Sequence, residues 1–286
     1  LTWNWGWWAL ACLFVIFLTT FNIVRRRLFN VFYWTHYSFV GFFVFSWLHV
    51  PQTHWFLGVG AGLYVLDKLL RIVRMGIPGR MLVFKLKGRH TAQVRFQKNA
   101  ITRLLNLHRV GNYYFVNFPD LSLTEWHPFS VTSSPTEDTV ELHIRALGDH
   151  TADIVKFAKQ VEEDKSGKPL PYIKIDGPYG IQNFNYRRYP VVILTGGGIG
   201  IAPVIGMLKD IYKVGVYGEP EGSKPKPGKH ANETIYFVWA MRSLDDYELF
   251  GEELGQCMDR AQEGKGFPPL VCFVHVTKPD GPLPFP

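Results

Sequence analysis

Two long runs without a formal charge limit what this chain can become. Residues 1–24 and 28–66 contain no Asp, Glu, Lys or Arg, and after Asp67 the composition turns to that of an ordinary globular protein. A helix that crosses a bilayer needs about 20 apolar residues. The first run supplies one at 5–24. The second is long enough for two, and Pro51-Gln52-Thr53 breaks it, which predicts helices near 31–50 and 55–74. A secretory leader is a poor alternative, because no charged segment precedes the first run and no small-residue cleavage site follows it. Three helices buried in a soluble protein are a poor alternative too, since so long an uncharged stretch is hard to cover.

Flanking charge orients the expected spans. Arg25, Arg26 and Arg27 separate the first two, Lys68, Arg71, Arg74 and Arg80 close the third, and the loop between the second and third has no charge. Positive loops face the cytoplasm, so the chain starts on the far side and its soluble portion is cytosolic. An integral membrane protein, of the plasma membrane, is expected, with lipid around its first 75 residues. Three unpaired-looking cysteines, Cys12, Cys257 and Cys272, suit a reducing compartment and argue against a disulfide framework or a cysteine zinc site. The net charge of +7 follows partly from this topology and suits anionic cofactors. No nucleic-acid partner is expected.

Ionisable residues inside a span are functional candidates. His36 lies near the cytosolic end of the second span and His49 near its outer end. Their separation, 49 − 36 = 13 residues, places them about 20 Å apart along an α-helix, a distance suited to two haems, one per leaflet. Neutral imidazole is the usual protein ligand of haem iron. The pair reads as haem ligands or as hydrogen-bonded packing residues, and the spacing alone leaves both open. Thirteen residues do not return a straight helix to the same face, so either the helix tightens locally or the haems approach from different sides. His54, just past Pro51, is a weaker candidate for meeting an acceptor in the outer loop. No other histidine lies in these spans, so partner ligands are expected on further spans upstream of Leu1.

The cytosolic part begins with short strands at 81–86, 91–96, 113–118 and 140–145, separated by Gly, Pro and Asp, which predicts a small antiparallel barrel followed by a helix at 151–163. Within it lies Glu125-Trp126-His127-Pro128-Phe129-Ser130-Val131-Thr132-Ser133-Ser134-Pro135. A flavin site needs an aromatic face and donors at the ring edge, which Phe129 and Ser130 could supply. Arg145 and Thr151 could hold the pyrophosphate. On residue chemistry alone, a proline-bounded turn is the stronger reading of this segment.

From Tyr189 the pattern changes. Residues 190–194 form a continuous apolar run, as in a strand of a parallel sheet buried on both faces. Gly196, Gly197, Gly198, Gly200 and Pro203 follow, then a helical stretch to about Tyr212. Strand, glycine turn and helix form a phosphate-binding arrangement, because glycine lets backbone amides approach the anion and the helix start attracts it. Tight strand-to-helix turns want glycine as well. Arg242 ends a second strand, 234–240, where an open α/β sheet binds ligands and a guanidinium could grip a 2′-phosphate. The alternative for Arg242 is a solvated surface charge. A third strand covers 270–276, and the segment 217–229 reads as a flexible loop without an assigned role.

Taken together these residues resemble the NADPH oxidase and ferric reductase flavocytochrome superfamily. The most specific stretch is Glu125–Ser130 with Thr132 and Ser133, then His143-Ile144-Arg145 and Gly148-Asp149-His150-Thr151, which is similar to the flavin site of the plant respiratory-burst oxidases. Asp176-Gly177-Pro178-Tyr179-Gly180 resembles the start of that family's nicotinamide domain, and Tyr33-Trp34-Thr35-His36 its fifth transmembrane helix. The resemblance implies a multi-domain membrane protein: transmembrane helices at 1–75, the last three of six; an antiparallel β-barrel FAD domain at 76–185; and a ferredoxin-reductase-like α/β NADPH domain at 186–286. The fold is expected to continue beyond both ends of the sequence. FAD contacts would come from His127, Pro128, Phe129, Ser130, Thr132, His143, Arg145 and Thr151. NADPH contacts would come from Gly177, Pro178, Tyr179, Gly180, the Gly196–Pro203 loop and Arg242. His36 would ligate an inner and His49 an outer b-type haem.

The implied activity is oxidoreductase electron transfer from cytosolic NADPH through FAD and two haems to an acceptor beyond the membrane. Dioxygen, giving superoxide, is the leading acceptor and a ferric chelate its rival. A regulatory subunit or a second copy of the chain is a further expected partner. Three departures from the family stand out: His150 occupies a place usually held by an aromatic residue, the family's Cys-Gly-Pro motif is absent, and so is its C-terminal aromatic residue. A catalytically inactive scaffold is disfavoured by the intact glycines and flavin motif.

Overall fold

The computed structural model describes residues 3–75, 78–99, 102–103, 107–164, 166–180, 185–214, 232–264 and 266–278. The loop expected at 217–229 and the end at 281–286 lie outside them. The chain divides into two compact units, Leu1–Val73 and Arg74–Pro286.

The first unit is helical: α1 (Trp3–Thr19), α2 (Asn22–Arg27), α3 (Phe29–His36), α4 (Ser38–His49), a short 3₁₀ turn at Pro51–Thr53, and α5 (His54–Met75). α1 packs along α4. Small residues bring the two close: a Cβ on Gly41 would stand 3.0 Å from Cys12 Sγ, and one on Gly6 2.8 Å from His49 Nε2. The Trp5 and Phe45 rings stack at 5.8 Å beside them. Helices therefore form where the uncharged runs predict them, with a difference. Among the described residues no helix is long and apolar enough to cross a membrane. The second expected span divides at Tyr37 into α3 and α4, α1 stops at Thr19, and the last turns of α5 carry Asp67, Lys68, Arg71 and Arg74. At the break Tyr37 N–H donates to Trp34 O (3.3 Å) and Val40 N–H to Tyr37 O (3.0 Å), both three residues back. That is a local tightening of the helix between His36 and His49, the first of the two alternatives that the thirteen-residue spacing leaves.

The second unit holds ten strands among the described residues. β1 (Pro78–Gly79), β7 (Ile173–Tyr179), β4 (Tyr113–Asn117) and β5 (His127–Ser130) form one antiparallel sheet in that order. β2 (Met81–Leu86), β3 (Thr91–Gln97) and β6 (Thr139–Arg145) form another. The expected barrel is thus two sheets, joined by a bridge between Val131 and Leu142. Both close on one core that includes Phe84, Val94, Phe96, Tyr114, Val116, Leu142, Ile144 and Ile173. α6 (Asp149–Glu163) covers it with Ile154 and Ala158.

The rest is a parallel sheet, β10 (Leu270–Val276), β9 (Thr234–Met241) and β8 (Val191–Gly197) in that order. Its helices are α7 (Ala202–Tyr212) and α8 (Gly251–Glu263). Trp239, Phe237, Ile201, Tyr212 and Phe250 form a second core. β8 departs from expectation. It is an edge strand and only alternate residues are buried; Val191 is 51% and Ile193 65% exposed. A continuous apolar run predicts burial on both faces, but this strand is covered on one.

Candidate functional site

The antiparallel ladder sets the flavin candidates in order. In β5, Ser130 lies opposite Tyr113, Phe129 opposite Tyr114, Pro128 opposite Phe115 and His127 opposite Val116. Tyr113 also pairs with Tyr179 of β7, so Tyr179, Tyr113 and Ser130 stand in one row across three strands. Alternation along β5 exposes Pro128 and Ser130 and leaves His127 and Phe129 half-buried; Phe129 packs against the core. The exposed Ser130 hydroxyl is free to meet a ligand edge.

Two candidates turn out to be internal. Thr132 is buried, donates to Glu141 O (3.1 Å) and shares a 3.0 Å hydrogen bond with His143 Nδ1. His143 is buried too, its ring 4.6 Å from that of Phe250. Burial, with help from Lys87, Lys209 and Arg95 and against Glu141, lowers its pKa to about 4. These two hold β6 to the chain after β5 and support the site from beneath. Thr151 is also committed: its hydroxyl accepts from Leu147 N (2.9 Å) and Gly148 N (3.0 Å) and closes the start of α6. A threonine three residues after the cap satisfies helix-start amides that would otherwise lack partners.

Asp176–Tyr179 belongs to β7, with Gly180 just after it, and so to the antiparallel sheet, not to the parallel one. Gly177 is required by its contact, since a Cβ there would fall 2.7 Å from the Tyr114 ring. Pro178 follows it. Tyr179 donates to Asp176 Oδ2 (2.6 Å) and stacks on Tyr113 at 5.8 Å, while Asn112 donates to the Tyr179 and Gly180 carbonyls at 3.0 and 2.9 Å. Gly177, Pro178, Tyr179 and Gly180, expected as nicotinamide contacts, thus sit beside the row that holds the flavin candidate Ser130.

The glycine loop divides by role. A Cβ on Gly196 would come within 2.6 Å of the Ile201 side chain and 2.8 Å of its Cα, so this glycine serves strand-to-helix packing. Gly198 has φ +50°, a left-handed conformation that favours glycine, and its carbonyl accepts from Trp239 Nε1 (3.1 Å). Gly200 faces open space, and Gly197 meets only Ala240 O at 3.9 Å. Pro203 occupies the first turn of α7, where its missing N–H costs nothing. Gly197 and Gly200 are both exposed.

Arg145 ends β6 and Arg242 follows β9, and they line one cavity of about 330 Å³ with Lys87, Arg89, His90 and Lys278. Asp246 pairs with Arg145 at 2.8 Å and Asp245 with Arg89 at 3.2 Å. Arg242 is exposed and its guanidinium has no ion-pair partner among the described residues. The cavity therefore presents surplus positive charge. Sequence reasoning misses Arg89, Lys278 and Asp246; lone charges in loops have no local signature, and only the tertiary fold gathers them.

His150, at the start of α6, stacks on His127 at 4.3 Å and lies 2.6 Å through Nδ1 from Glu125 Oε2. Burial and then His127 hold its pKa below the ordinary histidine value.

In the helical unit, His36 is exposed between the rings of Phe32 (5.5 Å) and Phe39 (6.2 Å). His49 lodges against Gly6 and borders a cavity of about 620 Å³ with Trp7, Leu10, Leu13 and Phe42. His54 stacks on Trp47 at 4.5 Å, with its Nε2 2.7 Å from Trp47 O.

Comparison with known proteins gives two matched families: an FAD-binding domain over residues 79–183 and a ferric reductase NAD binding domain over 189–279. Respiratory burst oxidase homolog protein B of Solanum tuberosum is 31% identical over 269 residues, 82% of this chain and 30% of that protein. A superoxide-generating NADPH oxidase heavy chain of Dictyostelium discoideum is 29% identical, covering 88% of this chain and 50% of that one. NADPH oxidase 1 of Mus musculus is 28% identical over 75% of this chain and 33% of its own length. The chain thus spans about a third to a half of these relatives. Among solved structures, a ferredoxin NADP+ reductase from Neisseria gonorrhoeae with bound FAD and NADP aligns with a TM-score of 0.49 at 14% identity, over 72% of this chain and 70% of that one.

Proposed function

The chain belongs to the NADPH oxidase and ferric reductase superfamily, and on that footing we propose that it passes electrons from cytosolic NADPH through FAD and two b-type haems to dioxygen across a membrane, giving superoxide. The observation that carries this reading is the basic cavity lined by both Arg145 and Arg242. It lies where the antiparallel sheets end and the parallel sheet begins, so one place could hold anionic groups of a flavin and of a dinucleotide. FAD would accept a hydride and release electrons singly, which is what a haem requires.

In this reading the protein's own groups orient and insulate. Ser130 offers its free hydroxyl to the flavin edge, with His127, Pro128 and Phe129 forming the strand beneath. Arg145 exchanges Asp246 for a pyrophosphate, with Thr151 shaping the helix start beside it. Tyr179 and its neighbours Gly177, Pro178 and Gly180 border the ring where nicotinamide would approach. The exposed backbone at Gly197 and Gly200 takes the dinucleotide phosphates, and Arg242 takes the 2′-phosphate by a charge-assisted contact. Residues 76–185 would then form the flavin domain and 186–286 the nucleotide domain.

For the membrane part the support is the apolar surface. Trp7, Trp8, Trp34, Trp55 and Phe56 are each more than half exposed, and among the described residues of this unit Ala9 is the only hydrophobic residue that is buried. So large an apolar surface marks contact with lipid or protein. His36 and His49 would ligate the inner and outer haem irons, His49 beside the cavity that it already borders.

The ferric reductase name of the family matched at 189–279 favours the rival acceptor. One assay decides. Purified full-length protein with NADPH is offered oxygen and a ferric chelate together, while superoxide and ferrous product are recorded in parallel. Superoxide as the main product is the expected result. Ferrous product in excess assigns the chain to the reductases, and no NADPH consumption by FAD- and haem-loaded protein defeats the electron-transfer reading.

A further inference from the structure

We propose that Glu125, His127 and His150 form a binding site for a divalent first-row transition metal ion. One ligand atom from each residue lies within 4.8 Å of the other two. Glu125 Oε2 stands 2.6 Å from His150 Nδ1 and 3.8 Å from His127 Nε2. In a tetrahedral site with metal–ligand distances of about 2.0–2.2 Å, the donor atoms are roughly 3.3 Å apart. The donor atoms are thus near enough to enclose an ion once one of the two imidazoles, now stacked at 4.3 Å with 22° between their planes, turns out of the stack. Two imidazoles and a carboxylate are a donor set that suits zinc and ferrous ions, and three protein ligands leave a fourth position for water.

Each ligand's backbone is held independently. Glu125 is anchored at both ends: its N–H donates to Ser122 Oγ (3.3 Å), and its carbonyl accepts from Asn117 Nδ2 (2.8 Å). Asn117 is fully buried and also binds Ser122 O (2.7 Å). His127 is fixed in the ladder opposite Val116. His150 lies in the helix start that Thr151 closes. The side chains are 54%, 40% and 14% exposed for Glu125, His127 and His150, so an ion can enter from solvent and meet one shielded ligand. The site would reinforce the tie between the loop before β5 and the first turn of α6 that the 2.6 Å Glu125–His150 contact already makes. His127 shares β5 with the flavin candidates Pro128, Phe129 and Ser130, so flavin content read on the same samples separates loss of the metal from disturbance of that strand.

The test uses the full-length protein in detergent, loaded with FAD. Zn²⁺ is titrated against a chromogenic chelator, and Co²⁺ in parallel for the ligand-field bands of a four-coordinate site. Flavin content is measured on the same samples. The parent is expected to bind one equivalent that His150→Phe and Glu125→Gln each weaken at least about tenfold, with flavin content unchanged. His150→Phe keeps an aromatic ring against His127. Glu125→Gln alters an exposed side chain, so it decides the matter if His150→Phe disturbs folding. Absence of binding by the parent, or equal affinity in parent and Glu125→Gln, overturns the site.

Discussion

At Arg242 the guanidinium is left without an ion-pair partner among the described residues, while Arg145 in the same cavity is matched by Asp246. An unmatched cation beside a basic cavity should distinguish a phosphorylated ribose from a plain one. Arg242→Ala is expected to raise the KM for NADPH relative to that for NADH by one to two orders of magnitude, because a hydrogen bond to a charged group contributes about 1.5–3 kcal/mol. Equal changes for both cofactors would remove Arg242 from phosphate recognition. His143 carries a second residue-scale prediction. Its folded pKa, about 4, lies below the unfolded value of about 6.5. Between these values the unfolded chain binds the extra proton, so stability is full above about pH 6.5 and falls as pH drops toward 4, by on the order of 3 kcal/mol. Glu141, which burial would raise but His143, Lys209 and Arg95 hold down at about 2, adds its own loss only below about pH 4. His143→Gln should flatten the upper window in denaturation measured at pH 5 and pH 7.5, and narrow the lower one, because Glu141 loses the His143 charge that helps to hold its pKa down.

The loop between β8 and α7 separates two uses of glycine within one element. Gly196 has no room for a methyl group, because the backbone and side chain of Ile201 stand within 2.8 Å of its Cβ position. Gly196→Ala should lower stability by about 1–3 kcal/mol, the usual range for overpacking, seen as a lower thermal midpoint. Gly200 has nothing within 4 Å. Gly200→Ala should fold as the parent does and raise the KM for NADPH, since the methyl would occupy space that the dinucleotide needs. A matching loss of stability in both variants would mean that the open space at Gly200 is not kept for a ligand.

Within the second unit the two parts are joined through buried charge. Lys209 of α7, 5% exposed, lies 2.8 Å from Glu137 and 3.7 Å from Glu141, both from the antiparallel part. Burial opposes its charge, but the two carboxylates outweigh that and raise its pKa. Gln93 donates to the same Glu141. At Gly206 the helix comes so close that an added Cβ would be 3.3 Å from Ser133 O. Removing one partner of a buried ion pair leaves the other uncompensated. Lys209→Ala should therefore cost about 3–5 kcal/mol in chemical denaturation, and Lys209→Met, which keeps the stem but not the charge, should recover little of it. A cost below about 1 kcal/mol would show that packing alone joins the two parts.

Local pattern determined most of the elements of this protein. Uncharged runs mark the helical unit, alternation and turn residues mark the strands of the antiparallel sheets, and Gly196–Pro203 marks the strand-to-helix turn, because each depends on neighbours within a few residues. Chain-distant pairing was decided only by the tertiary structure. Arg145 and Arg242, expected to serve different cofactors, line one cavity; Gly177–Gly180 joins the sheet of Ser130 through Tyr113; Thr132, His143 and Thr151 are committed to internal hydrogen bonds. β8 is an edge strand, with a single strand neighbour, and one of its faces is exposed, a circumstance that no apolar run can reveal. Tyr37 divides a stretch that composition presents as continuous, since a tightening to hydrogen bonds three residues back leaves no trace in hydropathy. The cluster of Glu125, His127 and His150 exists because a ladder and a helix start bring residues 125 and 150 together, a contact set by packing and not by sequence spacing.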